Sequence, residues 1–108
     1  MIYLKNTDEL DLILEKNDMV LIEVGSESCN PCKALKSKIS AWSEEHNDMC
    51  TIYISIEEHP EIAGKLQVLS APTLLLYVEG KLTLREGGYF SLEEFLRKTE
   101  RYEILLKY

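Results

Sequence analysis

The chain contains 108 residues, of which 45% are hydrophobic and 29% charged, with a formal net charge of −7 at pH 7. This length supports a buried core without structural metals or disulfides, so we expect a single domain over residues 1–108. The acidic balance disfavours nucleic acid as a partner, because binding to a phosphate backbone needs clustered lysine and arginine. A membrane protein is disfavoured as well, since no apolar run approaches the roughly 20 residues that span a bilayer.

The N-terminus shows neither a secretory signal nor an obvious transit peptide. Residues 1–9 lack a basic region followed by an apolar run, and acidic residues appear almost at once. We therefore expect a cytoplasmic protein. Two of the three cysteines lie in one Cys-Asn-Pro-Cys run, whereas a secreted disulfide framework usually has an even number of dispersed cysteines. Such closely paired thiols indicate a reactive role rather than a structural one. The partners we expect are other proteins or small thiols.

The first half of the chain predicts an alternation of helices and strands. In order, the elements are a helix capped by Thr7 or Asp8 and ending near Lys16, a strand over 19–24, a helix from Cys29 to about His46, and a strand over 51–56. The charged residues of the second helix, Lys36 among them, are expected to face mostly water. The run over 19–24 is short, apolar and rich in β-branched residues, which is typical of a strand buried on both faces of a parallel sheet. Glu23 is the exception, because it introduces a carboxyl group into a segment that should be dry.

The second half predicts a short helix, a hairpin and a last helix. The elements are a helix from Glu61 to about Leu66, hairpin strands over 73–78 and 81–86, and a helix opened by a capping box at Ser91. Gly80 is expected to supply the positive φ of the hairpin turn. A βαβ-like order followed by a hairpin and a helix predicts an α/β sandwich with a mixed sheet. The apolar tail over 101–108 either extends the last helix, packs on the domain or contacts a partner.

Cys29 and Cys32 lie three residues apart at the predicted start of a helix, where their side chains can reach each other and close a small disulfide ring. Pro31 suits the first turn of that helix. Unpaired N–H groups and the positive end of the helix dipole favour a thiolate at Cys29, whereas Cys32, one turn in, should be more buried. We therefore predict that Cys29 attacks a partner's disulfide and that Cys32 resolves the mixed disulfide.

The same Cys-x-x-Cys spacing also occurs in zinc sites, of which it would form one half. A tetrahedral zinc site needs four ligands, usually with a second close pair. Cys50, His46 and His59 provide no such pair. We expect no metal, and no cofactor besides the redox-active disulfide itself. Cys50 is interpreted as a small buried hydrophobe, and both histidines as surface residues.

Further features surround the Cys-x-x-Cys motif in a characteristic order. The motif follows a buried strand and opens a helix, and Glu23 lies six positions before the first cysteine. Residues 70–73 read Ser-Ala-Pro-Thr, Gly80 occupies the hairpin turn and Gly88 follows the hairpin. With these residues the chain resembles the thioredoxin family over about residues 5–101. At the same places that family has a buried acid, a cis-proline loop, a hairpin glycine and a glycine near the active-site surface.

The resemblance implies an α/β thioredoxin fold, with a central mixed β-sheet of four to five strands flanked by helices on both faces. It implies a thiol–disulfide oxidoreductase that reduces protein disulfides by dithiol exchange through Cys29 and Cys32, with Glu23 moving protons to and from the second cysteine. The substrate-binding residues that it implies are Ala71, Pro72 and Gly88. The implied partners are disulfide-containing proteins and a thioredoxin reductase or similar electron donor, and we expect a monomer.

The chain departs from the family pattern at several positions. Ser28 replaces the tryptophan that usually precedes the first cysteine, which removes a large apolar part of the partner-binding surface. Asn30-Pro31 in place of Gly-Pro changes the redox potential, in a direction that the sequence does not give. Tyr53 stands where a lysine often pairs with the buried acid, so we expect Glu23 to lack that cation. Burial without a counter-charge should raise the pKa of Glu23.

Two alternatives remain open. A more oxidising protein, closer to a disulfide isomerase or oxidase, would use the same chemistry and differ only in redox potential. The absence of an export signal favours the reductase over this alternative. A thioredoxin-fold interaction module would depend on its partner rather than on electron transfer. Ser28 and the apolar tail favour the module, whereas the retention of both cysteines speaks against it.

Overall fold

A computed structural model describes residues 1–107, so Tyr108, the last residue of the predicted domain and tail, lies outside the described residues. In chain order the elements are β1 (Ile2–Tyr3), α1 (Thr7–Lys16), β2 (Met19–Gly25), α2 (Asn30–Ser43), β3 (Cys50–Ser55), α3 (Pro60–Lys65), β4 (Thr73–Val78), β5 (Lys81–Gly87) and α4 (Leu92–Leu106). Every element predicted from the sequence is present within a few residues of its predicted bounds. Strand β1 was not predicted, because two residues are too few to show a periodic pattern.

The five strands form one mixed sheet in the order β1-β3-β2-β4-β5. Strands β1 and β2 each pair with β3 in parallel, whereas β4 pairs antiparallel with both β2 and β5. Strand β2 therefore lies at the centre, and all seven of its residues are buried. The prediction of a doubly buried strand inside a mixed sheet of four to five strands is confirmed.

Helices cover both faces of the sheet, because successive side chains of a strand point to opposite faces. On one face, Val20 and Ile22 of β2 lie in a hydrophobic cluster with residues of α1 and α3. On the other face, Met19 and Leu21 lie in a cluster with residues of α2 and α4. The helical members of the two clusters are Leu10, Ile62 and Ala63 on the first face, and Ile39 and Phe95 on the second. By this alternation Glu23 lies on the face covered by α2 and α4.

The helix ends show where local signals were sufficient. Ser91 caps α4 as predicted, and its hydroxyl accepts a hydrogen bond of 3.2 Å from the Glu94 N–H. The predicted cap of α1 was wrong by one or two residues, since Asn6 has extended backbone and its side chain accepts from the Glu9 N–H at 2.8 Å. Helix α2 ends at Ser43 rather than near His46. The tail continues α4 as far as Leu106, which agrees with the first of its three predicted roles.

Candidate active site

Cys29 and Cys32 are joined by a disulfide, with their Cα atoms 5.3 Å apart. Cys29 is the N-cap of α2 and has extended backbone, and its Sγ accepts a hydrogen bond of 3.3 Å from the Cys32 N–H. Pro31 lies in the first turn, as predicted. Cys32 is fully buried and Cys29 is half-buried, which is the asymmetry expected from the sequence. A molecule approaching from solvent therefore meets the Cys29 sulfur first.

A groove of about 930 Å³, here called the Cys29 groove, opens beside the disulfide. Its lining includes Cys29 from the start of α2, Ala71 and Pro72 from the loop before β4, and Gly88 and Tyr89 from the segment after β5. The Ala71–Pro72 peptide bond is cis, as the resemblance implied. The structure thus brings together the three residues predicted to bind the partner's chain with the cysteine predicted to attack it.

The loop that leads to Cys29 is held by Glu57, a residue that the sequence did not single out. The Glu57 carboxylate accepts a hydrogen bond of 3.2 Å from the Glu27 N–H and another from the Ser26 hydroxyl. These hydrogen bonds, with the one from Ser26 contributing most, lower the pKa of Glu57. The carboxylate is therefore ionised near neutral pH, and it holds the chain in place two residues before Cys29.

Glu23 is almost wholly buried, with 1% of its surface exposed, and neither carboxyl oxygen has a hydrogen-bond partner among the described residues. Burial raises the pKa of this carboxyl to about 8, and the charge of Lys36 acts in the opposite direction. The predicted rise is confirmed. The prediction that Glu23 lacks a cation was wrong in part, because Lys36 of α2 supplies a positive charge although Tyr53 occupies the adjacent position on β3.

Two groove residues, Leu69 and Tyr89, were missed in the sequence. The Leu69 residue is 95% exposed and Tyr89 is fully exposed, yet both line the Cys29 groove. They lie in the irregular segments before β4 and after β5, where hydrophobic periodicity gives no signal. Ser28 was the one sequence feature that could have indicated them. Because Ser28 lacks the large apolar side chain usual at its position, apolar residues are to be expected elsewhere on the same binding surface.

The residues considered for a zinc site lie apart from one another. His46 Nδ1 is 2.7 Å from Glu103 Oε1, so His46 is half-buried against α4 and its predicted surface position was wrong. His59 precedes α3, contacts Glu61 and is half-buried as well, so its predicted surface position was also wrong. Cys50 is half-buried against the cluster of α1 and α3, and burial raises the pKa of its thiol. Within residues 1–107, no group of three or more His, Cys, Asp or Glu side chains is arranged to hold a metal ion.

None of the helices in the described part of the chain combines the length with the apolar composition that crossing a membrane requires.

Comparison with known proteins gives a consistent result. The family model described as Thioredoxin matches residues 2–100. The chain belongs to the thioredoxin family. It is 31% identical over 86 residues to thioredoxin-2 of Saccharomyces cerevisiae, covering 79% of this chain and 83% of the yeast protein. It is 26% identical over 105 residues to a thioredoxin of Mycoplasmoides gallisepticum, covering 97% and 99% of the two chains.

Solved structures of thioredoxins share the fold. A mutant thioredoxin from Halobacterium salinarum superposes with a TM-score of 0.84 at 26% identity, covering 94% of this chain and 88% of that one. The thioredoxin of Fasciola hepatica gives a TM-score of 0.80 at 26% identity, covering 92% and 95%. Family membership and the Cys29–Cys32 disulfide together make this chain a thiol–disulfide oxidoreductase.

Proposed function

We propose that this chain reduces protein disulfides, with Cys29 as the attacking thiolate and Cys32 as the resolving thiol. The observation that carries the proposal is the asymmetry of the pair, in which half-buried Cys29 caps α2 while Cys32 is fully buried. In the reduced protein, the Cys32 N–H that contacts Cys29 Sγ is available to a Cys29 thiolate, because a helix N-terminus favours negative charge.

The first half of the exchange takes place at Cys29. Its thiolate attacks one sulfur of the partner's disulfide, so a bond forms between Cys29 Sγ and that sulfur while the partner's own S–S bond breaks. The second partner sulfur leaves as a thiolate and takes a proton from solvent. The product is a mixed disulfide between the two proteins.

The second half needs a base for the buried Cys32 thiol. Glu23 lies on the sheet face covered by α2, the helix that carries Cys32, and we assign it this role. Glu23 takes the Cys32 proton, the Cys32 thiolate attacks Cys29 Sγ, and the partner's remaining sulfur leaves as a thiolate. Two electrons have passed to the partner, and the Cys29–Cys32 disulfide is restored. A carboxyl whose pKa is raised to about 8 can hold or release this proton near neutral pH.

The partner's chain would bind in the Cys29 groove, where the substrate-binding roles fall to Ala71, Pro72 and Gly88. The apolar side chains of Leu69 and Tyr89 extend that surface and offset the loss of bulk at Ser28. A thioredoxin reductase or similar donor would reduce the pair again, with no cofactor bound to this chain. We further propose that the protein acts as a cytoplasmic monomer of a single domain over residues 1–108.

The direction of electron flow is tested by equilibrating the Cys29–Cys32 pair with a glutathione or dithiothreitol series and reading its state by thiol alkylation. We expect a single two-electron transition at a reducing potential near that of other thioredoxins, about −270 mV. A potential near about −180 to −120 mV would instead indicate a disulfide isomerase or oxidase. A pair that never closes would contradict the exchange mechanism.

The second candidate is an interaction module, favoured by the exposure of Leu69 and Tyr89 beside the disulfide. A Cys32→Ser variant separates the two functions, because it retains the attacking thiol but cannot resolve the mixed disulfide. Under the reductase proposal this variant accumulates adducts through Cys29 that dithiothreitol releases, and Cys29→Ser does not. Partners that are retained equally by both variants would favour the module.

A further inference from the structure

The half-buried side chain of Lys36 places its ammonium group over two aromatic rings. Its Nζ is 4.6 Å from the centroid of the Tyr53 ring and 5.2 Å from that of the Tyr3 ring. The two rings are 6.0 Å apart and inclined at 59° to each other. An ammonium group this close to aromatic faces is attracted by the ring quadrupoles, so the rings hold the positive charge in a defined place.

Lys36 lies close to the two buried reacting groups of the site, Cys32 and Glu23. It follows Cys32 by four residues, so the two side chains project from the same side of α2. Tyr53 is the direct neighbour of Glu23 in the parallel pairing of β2 and β3, so these side chains lie next to each other on one sheet face. Lys36 thus contacts the aromatic ring that neighbours the Glu23 carboxyl.

The electrostatic environment of Glu23 is simple. Lys36 is the charged group that lowers the pKa of Glu23 against the effect of burial. The pKa of Lys36 is raised, mainly by its interaction with Tyr3, and the charge of Glu23 adds to the rise. Tyr53 and Tyr3 lie on this side as well, while β4 places the apolar Leu74 opposite Glu23.

We propose that Lys36 is a positioning residue for the oxidoreductase reaction, and that its charge, held between Tyr3 and Tyr53, stabilises the ionised form of Glu23. The consequence is that Glu23 becomes able to accept the Cys32 proton at a lower pH than burial alone would permit. The inference rests on the proposed role of Glu23 as the base for Cys32, but the interaction between Lys36 and Glu23 can be measured without reference to activity.

The direct measurement is a titration of the Glu23 carboxyl carbon by NMR in the oxidised protein. In Lys36→Met the midpoint should rise by roughly 0.5–1 pH unit, because the ionised carboxyl loses a nearby opposite charge. Lys36→Arg keeps the charge and the aromatic contact, so its midpoint should remain close to that of the parent. Lys33→Met is the matched control, since it removes the same charge from the same helix but from a residue with no resolved influence on Glu23.

Substitution of Tyr3 tests the same effect on the Glu23 titration midpoint. The residue is 57% exposed, so Tyr3→Leu removes a contact of Lys36 without uncovering Glu23. The Glu23 midpoint should rise in Tyr3→Leu by less than in Lys36→Met. In the double variant it should equal that of Lys36→Met alone, because Tyr3 acts through the lysine. An unchanged midpoint in Lys36→Met, or a shift of equal size in Lys33→Met, would overturn the inference.

The pH dependence of mixed-disulfide resolution separates this inference from the role of Glu23. The resolution rate, measured in a single turnover, should have its midpoint moved upward in Lys36→Met by the same amount as the NMR titration. If the NMR midpoint moves and the rate profile does not, the interaction between Lys36 and Glu23 stands but Glu23 is not the base. If the NMR midpoint does not move, Lys36 has no such role, whatever Glu23→Gln does to the rate.

Discussion

The backbone N–H of Gly88 donates a hydrogen bond of 3.1 Å to the carbonyl oxygen of Pro72. This bond continues the pairing of β4 and β5 by one step and joins the two segments that line the Cys29 groove. Gly88 makes it with a φ of +74°, a conformation that strongly favours glycine. The shape of the proposed docking surface therefore depends on a residue without a side chain.

Replacing Gly88 by alanine should strain this junction. A Cβ there has open space around it, so the cost comes from the backbone, about 1–2 kcal/mol of unfolding free energy. We also expect a higher KM for a protein disulfide. Gly87→Ala is the control, since its φ is not positive and its Cβ would make ordinary contact with Thr73 Oγ1 at 3.4 Å. If urea unfolding shows that the two variants lose the same amount of unfolding free energy, the strain does not come from the positive φ of Gly88.

The apolar side chains beside the groove should matter for protein substrates and little for folding. Leu69→Ser and Tyr89→Ser remove side chains that are 95% exposed and fully exposed, so each should change the unfolding free energy by less than about 0.5 kcal/mol. Each should raise the KM for a protein disulfide several-fold, because an apolar contact of the docked chain is lost. The reduction rate of a small aromatic disulfide, which does not span the groove, should change much less.

Leu105→Ser serves as the control for these two variants, because Leu105 is 68% exposed and lies near the end of α4. This substitution should change neither the KM for the protein disulfide nor the reduction rate of the small aromatic disulfide. If it raises the KM for the protein disulfide as much as Leu69→Ser does, general surface apolarity and not the groove determines binding.

The sequence was most informative where the determining signal was local. The Ser91 cap, the hairpin turn at Gly80 and the apolar run of β2 each depend on a few adjacent residues, and each was predicted correctly. The cysteine motif and Pro72 depended on resemblance as well as on local chemistry. Their meeting with Gly88 in one groove follows from the sheet order, which places the start of β4 between the ends of β2 and β5.

The errors concern side chains whose environment is set by distant parts of the chain. Lys36 was assigned to the solvated face of α2, since helical periodicity tells which side faces outward but not that Tyr3 and Tyr53 cover it. His46 was assigned to the surface because its neighbours in sequence are polar. Glu103, its partner, lies 57 positions away, and no local pattern connects the two.

The raised pKa of Glu23 predicts a specific pH dependence of stability. Its value rises from an ordinary 4.5 to about 8 in the folded protein. Between these values the unfolded chain has released a proton that the folded chain still holds, so increasing pH favours unfolding. The stabilisation that protonated Glu23 gives the folded protein is fully present below pH 4.5. Above that pH it falls by about 1.4 kcal/mol per pH unit, and it levels off near pH 8.

Glu23→Gln should remove that slope, because the amide does not ionise. Urea unfolding of the oxidised protein at pH 5, 6, 7 and 8 measures it. The difference in unfolding free energy between the parent and the variant should shift steadily in favour of the variant as pH increases. A difference that is constant over this range would mean that Glu23 is ionised in the folded protein throughout, and would contradict its raised pKa.

His46 should contribute to stability far more than His59. The His46 ring stacks on Trp42 with centroids 3.9 Å apart, and its Nδ1 is 2.7 Å from Glu103 Oε1. Glu103 is only 5% exposed, and burial together with the neighbouring Asp48 carboxyl raises its pKa to about 7. His46→Ala would leave this carboxyl without its nearest donor and remove the stacked ring, at a cost of about 2–3 kcal/mol of unfolding free energy.

His59→Ala is the matched substitution. His59 contacts Glu61, whose side chain is 54% exposed, and a pair of this kind contributes less than about 1 kcal/mol. Urea unfolding at pH 7, followed by Trp42 fluorescence, should separate the two variants by at least about 1 kcal/mol. Both should keep the redox potential of the parent, because neither histidine lines the Cys29 groove. Equal stabilities would show that the contacts between His46 and α4 are too weak to hold the end of α2.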